Sequence, residues 1–197
     1  MKRREAIKKT TALGGAAVLS TSILTLWQAC KAEPKLAWQP QFLSTDHAQL
    51  VSALVDTILP KTDTPGGLEV KVDMLIDLIY AKTNDDDGQK KIVADLEAFN
   101  DKCVSKFGKV FHELEAEQRI SILQEEEAKA PKFGRGVWGV AVEDNGPAGF
   151  YRSFKSLAIM GYCTSEEIGL NELNYDPVPG DYKGCVPFEE VGKVWSL

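Results

Sequence analysis

Histidine is scarce in this 197-residue chain: His47 and His112 are the whole complement. His47 falls in the first turn of an expected helix and His112 at a helix boundary, neither with a partner at ligand spacing. Both therefore read as satisfied or solvent-facing side chains, and histidine-based metal or nucleophile chemistry has little to build on. No CxxCH occurs, which excludes covalent c-type haem attachment. Nor is there a series of alternating strands or an internal repeat, so a mainly α chain is expected. Beyond the leader, basic residues are too few for a nucleic-acid face. Lys2, Arg3, Arg4, Lys8 and Lys9 against Glu5 give the segment before Cys30 a charge of +4. With −6 on the whole chain, the remainder carries −10, the wrong sign to meet phosphate.

Two motifs are present in form only. GRGVWG, Gly134–Gly139, matches GxGxxG, yet it follows EEEAKAPKF, a charged stretch broken by Pro131. Dinucleotide binding needs a buried strand before the glycines and a helix after them, so a glycine turn presenting Trp138 is expected. Asp85-Asp86-Asp87-Gly88 suggests a calcium loop. Placing Gly88 sixth, however, puts Thr83 first and Ala94 twelfth, where carboxylates are required.

What is present is a globular composition, 44% hydrophobic and 26% charged, behind an export-type leader. Arg3-Arg4 precede a stretch without charge between Lys9 and Lys31, rich in Gly, Ala, Ser and Thr and only mildly apolar. That pattern suits a twin-arginine signal, which exports proteins already folded, better than a spanning anchor. Cys30, after Ala29, stands where a lipoprotein signal places its acylated cysteine, although Trp27 occupies a position where a small aliphatic is usual. The alternative is an ordinary cysteine inside a discarded peptide. Either way the expected location is the periplasm, or the periplasmic face of a bacterial membrane.

Residues 1–30 are thus read as the signal segment, 31–43 as a tether, and 44–197 as one mainly α domain. The stripe Leu50, Val51, Leu54, Val55 and Ile58 predicts a helix capped by Ser44, Thr45 or Asp46 and stopped by Pro60. KTDTPGG follows as a turn. A second helix, LEVKVDMLIDLIYAKT, has Leu75, Ile76 and Ile79 as core. A third begins at Asn84–Asp87 and buries Ile92, Val93, Leu96, Phe99, Cys103 and Phe107. Two more, about 115–128 with Ile120 and Leu123 inward and about 149–160 with Phe150, Phe154, Leu157 and Ala158, complete the set. From about 161 onward the prolines Pro177, Pro179 and Pro187 and scattered aromatics predict a long irregular arm. Asp85–Asp87 and Glu125–Glu127 read as solvated surface.

Cys103, Cys163 and Cys185 remain in the body. Cys103 lies on an apolar stripe and is expected as a buried thiol. A Cys163–Cys185 bridge would staple the arm, contributing roughly 3 kcal/mol by closing a loop of about 20 residues. An odd cysteine is also free to pair with another subunit.

LVSALVDTILPKTDTPGG, Leu50–Gly67, resembles the signature of the gluconate 2-dehydrogenase subunit 3 family, a helix ending in an I-x-P step and then T-D-T-P-G. GYCTSEEIGLNELNYDPVPGDYKGC, Gly161–Cys185, is similar to that family's later elements in the same order, with Cys163 where an aromatic is commoner. The resemblance covers most of the body. It implies a non-catalytic small subunit with no cofactor of its own. Its partner would be a large FAD-dependent dehydrogenase of the glucose-methanol-choline type acting on a sugar, sugar acid or alcohol, often with a cytochrome c subunit carrying haem c. The small chain would supply the twin-arginine signal to the translocase and support its partner's folding.

The residues expected at the partner interface are Thr62, Asp63, Thr64, Pro65, Gly66, Tyr151, Tyr162, Thr164, Ser165, Glu166, Tyr175, Pro179, Gly180 and Tyr182. Tyrosine is a residue type that anchors interfaces. The bland alternatives are that these aromatics pack the arm onto its own helices, and that Thr62–Gly66 is a turn whose side chains cap the next helix. Two other functions stay open: a binding lipoprotein, which needs a closed apolar pocket, and a small envelope enzyme, which needs a nucleophile, base or metal cluster.

Overall fold

The apolar stripes do become helices, and one of them is surrounded by the others. The computed structural model describes residues 36, 38–130, 136–137, 140–141, 149–175, 178, 180–181 and 184–195. All but residue 36 fall in one unit, Trp38–Leu197. The expected signal segment, with Arg3, Arg4 and Cys30, lies outside the described residues, as do Trp138, Pro179 and Tyr182. Among the described residues no helix is long and apolar enough to cross a membrane.

Helix α1, Thr45–Ile58, is the central element, packing on the second, third and fourth helices and on a 3-10 turn. Ser44 Oγ accepts from His47 N at 3.2 Å, filling the N-cap. Ala48, Leu50, Val51, Leu54 and Val55 are fully buried. α2 (Val72–Thr83) packs against α1, and α3 (Asp86–Phe107) is capped by Asp85 and ended by Gly108 at φ 74°. After the 3-10 turn Phe111–Glu113 comes α4 (Ala116–Lys129), where Glu115 N donates to Gln118 Oε1 at 3.2 Å. Phe111 and Phe150 flank Phe99, with ring centroids 5.4 and 5.7 Å from it, and tie the 3-10 turn, α3 and α5 (Phe150–Cys163) together. The mainly α reading holds.

Several expectations need correction. Within GRGVWG, Gly136–Val137 (β1) pairs antiparallel with Val140–Ala141 (β2), a short hairpin rather than a strand opening into a helix; the turn expected at Trp138 lies outside the described residues. On α4 the buried residues are Ile122 and Leu123, while Ile120 is 48% exposed; the rotation of α4 against the helices it packs on, not its own periodicity, sets the inward face. On α3 only Leu96, Phe99 and Cys103 are fully covered. Burial pushes the Cys103 thiol up to about 11, with Glu126 adding to the shift. The irregular arm starts later than 161. α5 runs to Cys163, and Ser165 accepts Gly169 N as the chain re-enters a π-helical turn, Ile168–Glu172, with Ile168 buried. A four-residue helix α6, Phe188–Val191, follows. Glu125–Glu127 are not merely solvated: they pair with Lys106, Lys102 and Lys155, clasping α4 to α3 and α5.

Residues 38–43, expected as part of a tether, are held to the body. Asp77, 1% exposed, accepts the backbone N–H groups of Gln41, Phe42 and Leu43 at 2.6, 3.1 and 2.8 Å. Asp73 accepts the Trp38 indole N–H at 2.9 Å and the Ser52 hydroxyl at 2.6 Å. Two buried carboxylates on α2 therefore dock residues 38–43 against the body, because their oxygens meet donors that no helix can satisfy.

Candidate functional site

The loop between α1 and α2 is irregular yet closely fastened. Gly67 N donates to Leu59 O at 2.8 Å, and Val72 N to Gly67 O at 2.9 Å. A Cβ on Gly66 would stand 2.9 Å from Lys61 N, and one on Gly67 would stand 2.7 Å from Val55 Cγ1. The double glycine is thus set by contact: the loop folds back on its own backbone and on α1. Thr62 and Thr64 bond each other, Thr62 N reaching Thr64 O at 3.1 Å. Gly66 N donates to Glu69 Oε2 at 2.9 Å, and Lys61 Nζ lies 2.5 Å from the other carboxylate oxygen. Lys61 is the main reason the Glu69 carboxyl is held below its usual range.

The turn does not cap the following helix. Lys71 is the N-cap of α2, with no side-chain cap bond and with φ 60°, the left-handed region that disfavours a lysine. Asp63 stays exposed.

α5 delivers the second motif to this loop. Gly161 is buried against α2, where a Cβ would come within 2.9 Å of Leu75 Cδ2. That close approach lets Tyr162, half-buried, donate its hydroxyl to Pro65 O at 2.7 Å, its oxygen 3.3 Å from Thr64 Oγ1. Ser165 Oγ donates to Tyr162 O at 2.7 Å and Thr164 Oγ1 to Met160 O at 2.8 Å, which ends the helix.

Between the two motifs runs an open cleft of about 700 Å³. Lys61–Pro65 and Glu69–Lys71 form one wall, Ser165–Glu167 with Leu170 and Asn171 the other. A smaller pocket of about 240 Å³, formed by Cys163, Gly169, Leu170 and Tyr175, adjoins it through Ser165, Glu166 and Leu170.

Of the residues expected at an interface, Thr62–Gly66, Tyr162, Thr164, Ser165, Glu166 and Tyr175 are gathered here. Tyr151 is not: it is 8% exposed and packs in the core with Lys155 over its ring. Gly180 is exposed but lines neither hollow. The expected bridge is not formed either. Cys163 is a half-buried free thiol beside the small pocket and Cys185 an exposed one. Asn174 N donates to Val194 O at 2.8 Å, and its amide to Val191 O and Lys193 O, so hydrogen bonds rather than sulfur close the arm.

Sequence reasoning passed over Asp73, Asp77, Asn174, Glu69 and Leu170. Asp73 and Asp77 did carry a signal, since they share a face with Val72, Ile76 and Tyr80. Among the described residues no group of three His, Cys, Asp or Glu could hold a metal ion.

No curated protein and no solved structure matched this chain. A family model described as gluconate 2-dehydrogenase subunit 3 matches residues 45–180. That span runs from the first residue of α1 past both walls of the cleft. The chain therefore belongs to the gluconate 2-dehydrogenase subunit 3 family.

Proposed function

We propose that this chain, a small subunit of a gluconate 2-dehydrogenase-type complex, is the non-catalytic export escort and folding partner of the catalytic subunit. That partner is an FAD-dependent dehydrogenase of the glucose-methanol-choline type, acting on a sugar, sugar acid or alcohol, with a haem c-bearing cytochrome as third subunit. FAD and haem belong to those chains. The complex crosses through the twin-arginine translocase on the strength of Arg3-Arg4. It works in the periplasm, held at the membrane by the leader or by a lipid on Cys30.

One observation supports this reading above the others. Two motifs almost a hundred residues apart, carried by Pro65 and Tyr162, are joined by a 2.7 Å hydrogen bond. Thr62, Thr64, Thr164 and Ser165 bond within the two motifs, while the carboxylates of Asp63 and Glu166 stay exposed beside the joint. Side chains assembled at that expense and left exposed suit recognition of another molecule. The openness of the cleft and its charged walls fit a protein partner better than a small apolar ligand, which weighs against the stand-alone binding lipoprotein.

The test is cell fractionation of a strain in which both leader arginines are replaced, R3K/R4K. Both this chain and the flavoprotein then remain in the cytoplasm, and the envelope loses its flavin-linked dehydrogenase activity. Stranding of this chain alone, with the flavoprotein still exported, rules the escort role out.

A further inference from the structure

The cleft and the small pocket meet at Ser165, Glu166 and Leu170, and the difference between their linings states what fits across this groove. At the cleft end six charged side chains line the walls: Lys61, Asp63, Glu69, Lys71, Glu166 and Glu167. Lys61 is consumed by Glu69 at 2.5 Å, and Glu69 also holds Gly66 N, so that pair is part of the loop's own construction. Among the described residues Asp63, Glu166 and Glu167 form no ion pair, and Lys71 is the single cation left to oppose them. The open end is therefore acidic by two charges. At the other end the lining changes to Cys163, Gly169, Leu170 and Tyr175, with Leu170 and Tyr175 each half exposed at 50%. Ser165, Glu166 and Leu170 belong to both ends.

The geometry points to this groove as the docking site for an extended segment of the catalytic flavoprotein that carries a lysine or arginine next to a bulky apolar side chain. The basic head sits between Asp63 and Glu166–Glu167. The apolar side chain fills the pocket over Leu170 and Tyr175. Charge complementarity selects this occupant. An acidic or purely apolar segment would leave three carboxylates unpaired as water is excluded, a cost that rises when charges are desolvated without a partner. The half-exposed leucine and tyrosine supply the apolar contact that stabilises a peptide in a groove, while the charges set its direction. The inference rests on the escort reading, since it assigns the occupant to the flavoprotein.

The experiment uses the full-length chain, tagged and purified from its own envelope, with co-purified flavin absorbance as readout. Glu166→Lys with Glu167→Lys reverses the acidic end, and Leu170→Asp spoils the apolar end. Glu97→Lys with Glu117→Lys, on the exposed faces of α3 and α4, reverses the same number of charges elsewhere. The expected result is at least a tenfold loss of co-purified flavin at about 0.15 M salt for each groove variant and none for the control. Thermal unfolding of each variant should stay within a few degrees of the parent, which separates lost docking from lost fold. A photo-reactive phenylalanine analogue at Leu170 should crosslink to a flavoprotein peptide containing lysine or arginine.

If the parent chain brings no flavoprotein, the escort reading fails and takes this inference with it. If the parent does and both groove variants do equally, the groove is overturned while the escort reading stands. Crosslinking to a second copy of this chain, to lipid, or to a peptide without a basic residue overturns the assignment of the occupant.

Discussion

The α1–α2 loop and the end of the arm are built from similar material, prolines, glycines and polar residues without helical period, yet they end up in opposite conditions. In the loop Gly66 and Gly67 are buried, the backbone closes on Leu59 and Lys61, and Tyr162 locks it from α5. In the arm Val178, Phe188, Val194 and Trp195 are 52–80% exposed, and among the described residues the ties include Asn174, the Asn174–Trp195 bridge and Lys193 on Asn171 O. Irregular backbone is as firm as the partners that take its N–H and C=O groups, and composition does not report who those partners are. The same contrast holds at the front of the domain, where residues 38–43 are docked by Asp73 and Asp77.

Removing a dock should give the largest effect. Asp77→Ala leaves three backbone N–H groups without an acceptor, one of them fully buried. A loss of about 3 kcal/mol is expected, seen as a melting temperature lower by roughly 10 °C, with protease cleavage appearing near residues 38–43. A melt unchanged within two degrees would show that this segment is no better held than the arm.

Next comes Gly66→Ala, whose Cβ meets backbone at Lys61 N rather than a side chain able to move. Displacing the loop should cost about 1–3 kcal/mol, measured by urea titration. Tyr162→Phe removes one bond at 2.7 Å and should cost about 1 kcal/mol. Its sharper readout is amide exchange: protection should fall in 61–67 and stay unchanged in α3. If exchange in the loop does not rise, the two motifs are neighbours without being fastened.

At the small end, Trp195→Ala should change stability by no more than about 0.5 kcal/mol, as expected of an exposed side chain. Thiol alkylation ranks the regions without a mutation. Cys185 should react first, half-buried Cys163 more slowly and Cys103 last. The Cys103 thiol, pushed up to about 11 by burial, stays protonated and unreactive at pH 8. Rapid labelling of Cys103 would mean that the α3–α4 seam opens.

Local chemistry alone dictated much of this molecule. Helical period placed α1, α3 and α5, and side-chain oxygen next to free N–H groups placed the Ser44 and Asp85 caps. Motif order pointed to the family, and charge along the chain separated a basic N-terminal segment from an acidic remainder. These are properties of neighbours in sequence, so they are legible there. Only packing decided the rest. Which of Ile120 and Ile122 faces inward depends on how α4 rotates against α3, and whether Asp77 is solvated depends on a segment 34 to 36 residues away. Tyr151 and Tyr162 share one helix and one residue type, yet one is core and the other is the latch that joins Pro65 to α5. The groove exists because Gly161 lets α5 approach α2, a contact between residues 86 apart that no local pattern encodes.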